Sequence, residues 1–285
     1  MKICLLGATG QTGQAILYKF TKFLAKPDNG DPDAKPLPLW LTGIARNPDA
    51  ENLKLFSDKF PDRIKFIKGN IFNAESLKTC FEDHDLIIYA LGFKGDTQQY
   101  VRSCKAVLEA MTANSIEKIM FVGTQYHDPE TRKRDLKKCF GCFCSFGSGS
   151  EGKGRFSKMM NLVVSKMLKT VFDDHHNMVE HVLKSPENQH IHWHYVACPV
   201  LGEYKPPLKL EDVKMESTRS FGSFALTEDD DGCHVTCKYG YQMCRSDVAS
   251  YMLWTALHWH HADKKPFRGQ VALDWPGTSS CFSWC

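Results

Sequence analysis

The stretch Met1-Lys2-Ile3-Cys4-Leu5-Leu6-Gly7-Ala8-Thr9-Gly10-Gln11-Thr12-Gly13 decides how this chain is read. Its first six residues are apolar except for Lys2, the pattern of a strand buried on both faces. Three glycines at Gly-x-x-Gly-x-x-Gly spacing follow at once, and Ile16, Leu17, Phe20 and Leu24 then recur at helical spacing, ending before Pro27. A strand that runs through a tight glycine turn into a helix lets backbone N–H groups and the positive helix end meet a phosphate with no side chain between them. The spacing departs from the commoner Gly-x-Gly-x-x-Gly fingerprint, so the flanking elements decide between a dinucleotide site and an ordinary loop.

Those elements alternate. Apolar runs predict strands over 37–45, 64–67, 85–90, 118–122 and 192–197. Helices are predicted near 50–60 and 74–81, and a further one carries the stripe Val101, Cys104, Val107, Leu108 and Met111. A long helix then places Met167, Leu168, Val171, His175, Met178, Val179 and Val182 on one face, and a last helix covers 247–258. Weaker strand signals lie at 220–224 and 234–238. Strand and helix in strict alternation imply an α/β fold, a doubly wound, mostly parallel sheet with helices on both faces. No repeat or linker divides the chain, so 1–285 is expected to form a single domain.

Of the 285 residues 42% are hydrophobic, enough for a full core. The 36 Lys and Arg and 33 Asp and Glu are dispersed, and a net charge of +3 argues against a nucleic-acid or membrane partner. There is no apolar run of roughly 20 residues to span a bilayer, and no charged segment leading into an apolar one. The expected location is cytoplasmic, with the 12 cysteines mostly reduced thiols.

In the alternating context the glycine turn reads as a nucleotide site. Gly7 permits the turn, Gly10 lets a pyrophosphate approach the backbone, and Gly13 packs the helix on the strand, with Thr9, Gln11 and Thr12 between them. An acidic residue after the second strand would bind the ribose of NAD. Arg46 stands there instead, with no acid before Asp49, and a guanidinium suits a 2′-phosphate; the expected cofactor is therefore NADP(H). The bland alternative makes Arg46 a plain surface cation. Ligands of open parallel sheets lie beyond the carboxyl ends of the strands. That places Asn70 and Ile71 at the adenine, Ala90, Leu91 and Gly92 at the ribose and pyrophosphate, and Thr124 and Gln125 at the nicotinamide end.

With these residues in hand, the chain resembles the atypical short-chain dehydrogenases, and among them the NADPH-dependent flavin and biliverdin reductases. The likeness rests on Gly7-Ala8-Thr9-Gly10-Gln11-Thr12-Gly13, Arg46, Leu91-Gly92, Asp173-Asp174-His175, and Pro199 with Gly202. It covers most of the chain apart from extra residues near 27–37, 139–160 and 208–222. The resemblance implies an NAD(P)-binding Rossmann fold and hydride transfer from the nicotinamide to a planar acceptor such as a flavin, a bilin or a quinone. It also implies a monomer, and places Thr124 where the family has a serine beside the nicotinamide. His175 matches the late-helix histidine and Pro199 the segment after the sixth strand; Thr124 and His175 are the candidate catalytic residues, with His175 either orienting the loop near the active site or simply capping and packing. Val200 stands where the family has a histidine, which weakens the transfer of bilin specificity more than that of flavin reduction.

Other motifs point elsewhere. Tyr18-Lys19-Phe20-Thr21-Lys22 has the Tyr-x-x-x-Lys spacing of ordinary short-chain dehydrogenases but lies on the first helix, away from any nicotinamide. Cys139-Phe140-Gly141-Cys142-Phe143-Cys144 lacks the second pair a structural zinc needs, so 139–156 reads as a loop of accessible thiols and no metal is expected. His190, His192 and His194, and His258, His260 and His261, read as edge or surface histidines. The competing function is a non-catalytic, NADP-binding regulator of the NmrA-like kind that senses redox state and binds a protein. Val200 and the cysteine-bearing insertion favour it; Thr124 and the late-helix match favour the reductase.

Overall fold

The computed structural model describes residues 1–25, 38–93, 98–124, 129, 168–198, 200–201, 242–243, 245–261 and 269–272. β1 (Lys2–Leu6) leads into α1 (Gln11–Ala25). β2 (Trp40–Ala45), α2 (Glu51–Lys59), β3 (Ile64–Lys68), α3 (Ala74–Phe81), β4 (Leu86–Tyr89), α4 (Gln99–Ala113) and β5 (Lys118–Thr124) follow in alternation. α5 occupies 168–178 and continues as a π-helical turn, Val179–Leu183, before β6 (His192–Cys198). After these come β7 (Val200–Leu201), β8 (Gln242–Met243), α6 (Arg245–His261) and β9 (Gly269–Ala272).

Seven parallel strands form one sheet in the order β3-β2-β1-β4-β5-β6-β9, and β7 and β8 make a separate parallel pair. The connections wind outward in opposite directions from β1 and β4, so a crevice opens at the carboxyl ends of these two strands. This is the doubly wound Rossmann-like fold expected from the sequence. Because alternate strand residues point to opposite faces, Ile3 and Leu5 enter one core with α1, α2 and α6, while Cys4 and Leu6 enter another with α3, α4 and α5. Burial on both faces is why the inner strands such as β1 and β4 read as apolar runs rather than as alternating patterns, whereas β3, at the sheet edge, exposes Lys65 and Lys68.

Several expectations need correction. β2 begins at Trp40, not at 37: Pro38 has no N–H for a ladder, and its carbonyl instead accepts a bond from the chain's amino terminus at 2.6 Å. Leu168, expected on the buried face of α5, is exposed; burial begins a turn later, with Val171 partly covered and His175, Met178, Val179 and Val182 inside. β9 has no counterpart in the reading of the sequence. It pairs with β6, so β6 is an interior strand and His194 is not an edge histidine. His194 is buried, with Nε2 3.1 Å from the Tyr251 hydroxyl, and burial pushes its pKa down to about 3. His190 and His192 have separate partners, Thr112 Oγ1 at 3.1 Å and Glu117 Oε2 at 3.8 Å.

The weak strand signals at 220–224 and 234–238, the insertions near 27–37, 139–160 and 208–222, and Met167 lie outside the described residues. Among the described residues Cys4, Cys80, Cys104 and Cys198 are free thiols, and no group of three metal-ligating side chains is present. No described helix is long and apolar enough to cross a membrane.

Candidate functional site

The strand register aligns the candidate residues. Ile67, Ile44, Leu6, Tyr89, Phe121 and Tyr195 form one row across six strands. Gly7, Arg46, Asn70, Ile71, Ala90, Leu91, Gly92 and Thr124 all fall within four residues beyond that row, so they share the carboxyl edge of the sheet. Gln125 and Pro199 lie outside the described residues.

At the centre of this edge the glycine turn is locked by its own backbone. Gly7 sits at φ +88°, and a Cβ there would come 2.5 Å from the Ala90 carbonyl oxygen. No other residue fits this left-handed turn pressed against the end of β4. A Cβ on Gly13 would lie 2.1 Å from the Gly7 carbonyl oxygen, so the first turn of α1 packs directly on the turn before it. Gly10 N–H donates to the Gly7 carbonyl at 2.9 Å, Gln14 N–H to the Gly10 carbonyl at 2.8 Å, and Gln14 Nε2 to the Ala8 carbonyl at 2.8 Å.

An anion fits this place. Among the described residues a Cβ on Gly10 would meet only the Gly7 oxygen, at 3.3 Å, and one on Gly92 would meet nothing within 4 Å, so neither glycine is crowded by them. Thr9, Gly10 and Gln11 are exposed, and the first turn of α1 holds no acidic residue to compete with a phosphate for the positive helix end. Thr12 is buried, so its hydroxyl is not presented to solvent at the turn.

The flanking strands supply the rest. Arg46 is exposed at the end of β2. Asn70 is fixed by its loop: its N–H donates to Ser76 Oγ at 3.1 Å, and its Oδ1 accepts from the Phe72 N–H at 3.1 Å. Ala90 is buried and Leu91 packs into the core, which leaves Gly92 as the exposed member of that trio. Tyr18 and Lys22 sit on α1 with the ammonium over the Tyr18 ring, and Tyr18 packs in the core shared by α1, α2 and α6.

A second cluster forms where β5 ends, and it joins the two candidate catalytic residues through a third group. Thr124 N–H donates to the Tyr195 hydroxyl at 3.0 Å, and the same hydroxyl lies 3.1 Å from His175 Nδ1. The Tyr195 ring reaches diagonally from β6 onto Gly123, where a Cβ would fall 1.9 Å from Cζ. The ring of His175 lies against that of Tyr100, tilted by 35° with centroids 3.7 Å apart. Asp174, next in the chain and also buried, accepts the backbone N–H groups of Tyr100 at 2.8 Å and Val101 at 3.3 Å. It therefore caps α4 from a distant segment, at a helix start where Gln98 offers no side-chain bond. Asp173 pairs on the surface with Lys169 at 2.6 Å.

Reasoning from the sequence missed Tyr195, Tyr100 and Asp174 as members of this site. The available signal was a tyrosine inside a buried strand, since a buried hydroxyl must find a partner. Burial raises the Tyr195 phenol far above its ordinary pKa, so it stays protonated.

Residues 38–140, roughly a third of the chain, match the model of a family described as NAD(P)H-binding. The match takes in β2 to β5 and leaves the glycine turn to be judged on its own geometry. No curated protein matches the sequence. Among solved structures, a short-chain dehydrogenase/reductase from Veillonella parvula in complex with NADP is 13% identical, with a TM-score of 0.59 over 97% of this chain and 95% of that one. An oxidoreductase from Lactococcus lactis is 14% identical, with a TM-score of 0.57 over 95% and 90%. An anaerobilin reductase from Escherichia coli O157:H7 is 12% identical, with a TM-score of 0.57 over 97% and 98%. At such identities the likeness establishes the fold, the Rossmann fold of NAD(P)-binding proteins.

Proposed function

We propose that this protein is an NADPH-dependent reductase that passes a hydride to a planar acceptor, a flavin in the first place and a bilin or quinone as further acceptors. The observation that carries the reading is the meeting, at one sheet edge, of the glycine cradle and the Thr124–Tyr195–His175 cluster. The first turn of α1 and the exposed backbone around Thr9, Gly10 and Gln11 would hold the pyrophosphate, with Gly92 leaving room beside them. Arg46 would take the 2′-phosphate, Asn70 and Ile71 the adenine, and Ala90 and Leu91 the wall between. Thr124, Gln125 and Pro199 belong to the nicotinamide end. Bound there, NADPH supplies the hydride.

The chain's own work is to orient two rings and keep a polar group beside them. Thr124 sits at the end of β5, where its hydroxyl suits the acceptor's edge. His175 is buried against Tyr100 and Tyr195, so its part is to fix neighbouring groups rather than to touch the acceptor. The anaerobilin reductase among the structural neighbours supports an acceptor of bilin size, whereas Val200 in place of the resembled family's histidine favours flavin over bilin. Anaerobic incubation of the full chain with NADPH and FMN, followed by loss of NADPH absorbance, tests the proposal. Steady oxidation, faster with NADPH than NADH, is expected. Tight NADPH binding without turnover on flavins, bilins or quinones would overturn it in favour of the NmrA-like regulator.

A further inference from the structure

We propose that Tyr195 is a positioning residue of this site, its hydroxyl aligned by His175 so that it holds the Thr124 peptide in place; the inference rests on the reductase reading above. Thr124 is the last residue of β5, at the final position of its pairing with β6. A peptide at a strand end frays unless something beyond the ladder secures it. Here the Tyr195 hydroxyl does so, accepting the Thr124 N–H at 3.0 Å.

The hydroxyl has one proton to give. His175 Nδ1 at 3.1 Å is a better acceptor than the Thr124 carbonyl at 3.5 Å, which assigns the histidine's own proton to Nε2. The direction of the hydroxyl, and with it the lone pair offered to Thr124, is therefore set by His175. His175 in turn is held by the Tyr100 ring at 3.7 Å and by the neighbouring Asp174, whose carboxylate ties α5 to the first turn of α4. Gly123 leaves the space in which the Tyr195 ring lies. Four segments distant in sequence thus converge on one peptide bond, although the sheet itself is completed by backbone groups and needs no side-chain hydroxyl from β6.

Amide hydrogen exchange at Thr124 in the full chain, measured by NMR, reads the proposal directly. Tyr195→Phe keeps the ring and removes the hydroxyl; exchange at Thr124 is expected to rise at least about tenfold, while the NADPH Kd stays within about twofold. His175→Leu should raise exchange to a similar extent, and His175→Asn, which restores an acceptor near Nδ1, should recover most of the protection. The double variant Tyr195→Phe/His175→Leu should exchange no faster than Tyr195→Phe alone, the mark of groups acting in series. With FMN as acceptor, Tyr195→Phe is expected to lower kcat about tenfold with KM for NADPH little changed. Unchanged Thr124 exchange in Tyr195→Phe, or additive effects in the double variant, would overturn the inference. Absence of turnover in the unmodified chain would count against the reductase alone, because exchange and NADPH affinity are read without catalysis.

Discussion

Gly10 and Gly13 stand three residues apart in one motif, yet the structure assigns them opposite costs on substitution. A methyl group on Gly13 would sit 2.1 Å from the Gly7 oxygen, 2.8 Å from the Gly7 carbonyl carbon and 2.9 Å from Ala8 Cα. All three are backbone atoms of a turn already locked against β4, so α1 must move away. Overpacking of this kind costs about 1–3 kcal/mol, and the rigid neighbours put Gly13→Ala near the upper end, a fall in Tm of about 6 °C or more. At Gly10 the same methyl meets one atom among the described residues, at 3.3 Å. Gly10 stands just before α1 and its carbonyl accepts the Gln14 N–H, a cap position where alanine is somewhat poorer than glycine. Gly10→Ala should therefore cost no more than about 1 kcal/mol and lower Tm by about 2–3 °C at most. Its methyl would stand where a pyrophosphate approaches the backbone. Loss of one charge-assisted hydrogen bond there costs about 1.5–3 kcal/mol, or a Kd for NADPH raised about 10- to 150-fold. Thermal melts and NADPH fluorescence titrations of the two variants separate the effects. Gly10→Ala binding NADPH as tightly as the unmodified chain would refute the cradle.

The remaining expectations concern single side chains. Arg46→Ala should reduce the preference for NADPH over NADH by about 10- to 100-fold, through loss of a charged partner for the 2′-phosphate, and an unchanged ratio would remove Arg46 from the site. Asp174→Ala strips the cap from the Tyr100 and Val101 N–H groups, which should cost about 1 kcal/mol and lower Tm by about 2–4 °C. His194 is neutral in the fold, with its pKa displaced from the ordinary 6.5 to about 3, while the unfolded chain takes up the proton below the ordinary value. Stability should therefore fall as pH drops between these limits, by up to about 1.4 kcal/mol per pH unit from this group, and denaturant melts of His194→Gln should show a shallower acid limb. Burial raises the pKa of Cys4, Cys104 and Cys198, the last to about 12, so peptide mapping after a brief native thiol-alkylation pulse should find all three unmodified.

Local pattern carried the fold where strands and helices follow one another closely. From Lys2 to Thr124 the elements are bounded by turn residues and carry a clear periodicity or apolar run, so composition and spacing place them, apart from the start of β2. β9 escaped because four residues, Gly269–Ala272, carry too little pattern, and their partner β6 lies some seventy positions earlier in the chain. That omission made His194 look like an edge residue. In the site, the glycine turn was legible because its backbone demands particular residues at particular spacing. The cluster behind Thr124 was not. Asp174 caps a helix that begins 75 residues before it, and Tyr195 meets His175 across the packing of β6 against α5. Such contacts leave no local periodicity, and only the buried hydroxyl of a strand tyrosine hinted that a partner was required. Leu168 shows the converse, a residue matching the helical stripe that lies just outside the packed length of its helix.

A calorimetric titration of the full chain with NADPH, and separately with NADH, tests the cofactor site on which the account depends. Binding of one NADPH per chain is expected, at least about tenfold tighter than NADH, as one charged contact to a 2′-phosphate would give. No saturable binding of either nucleotide, or a preference for NADH, would contradict it.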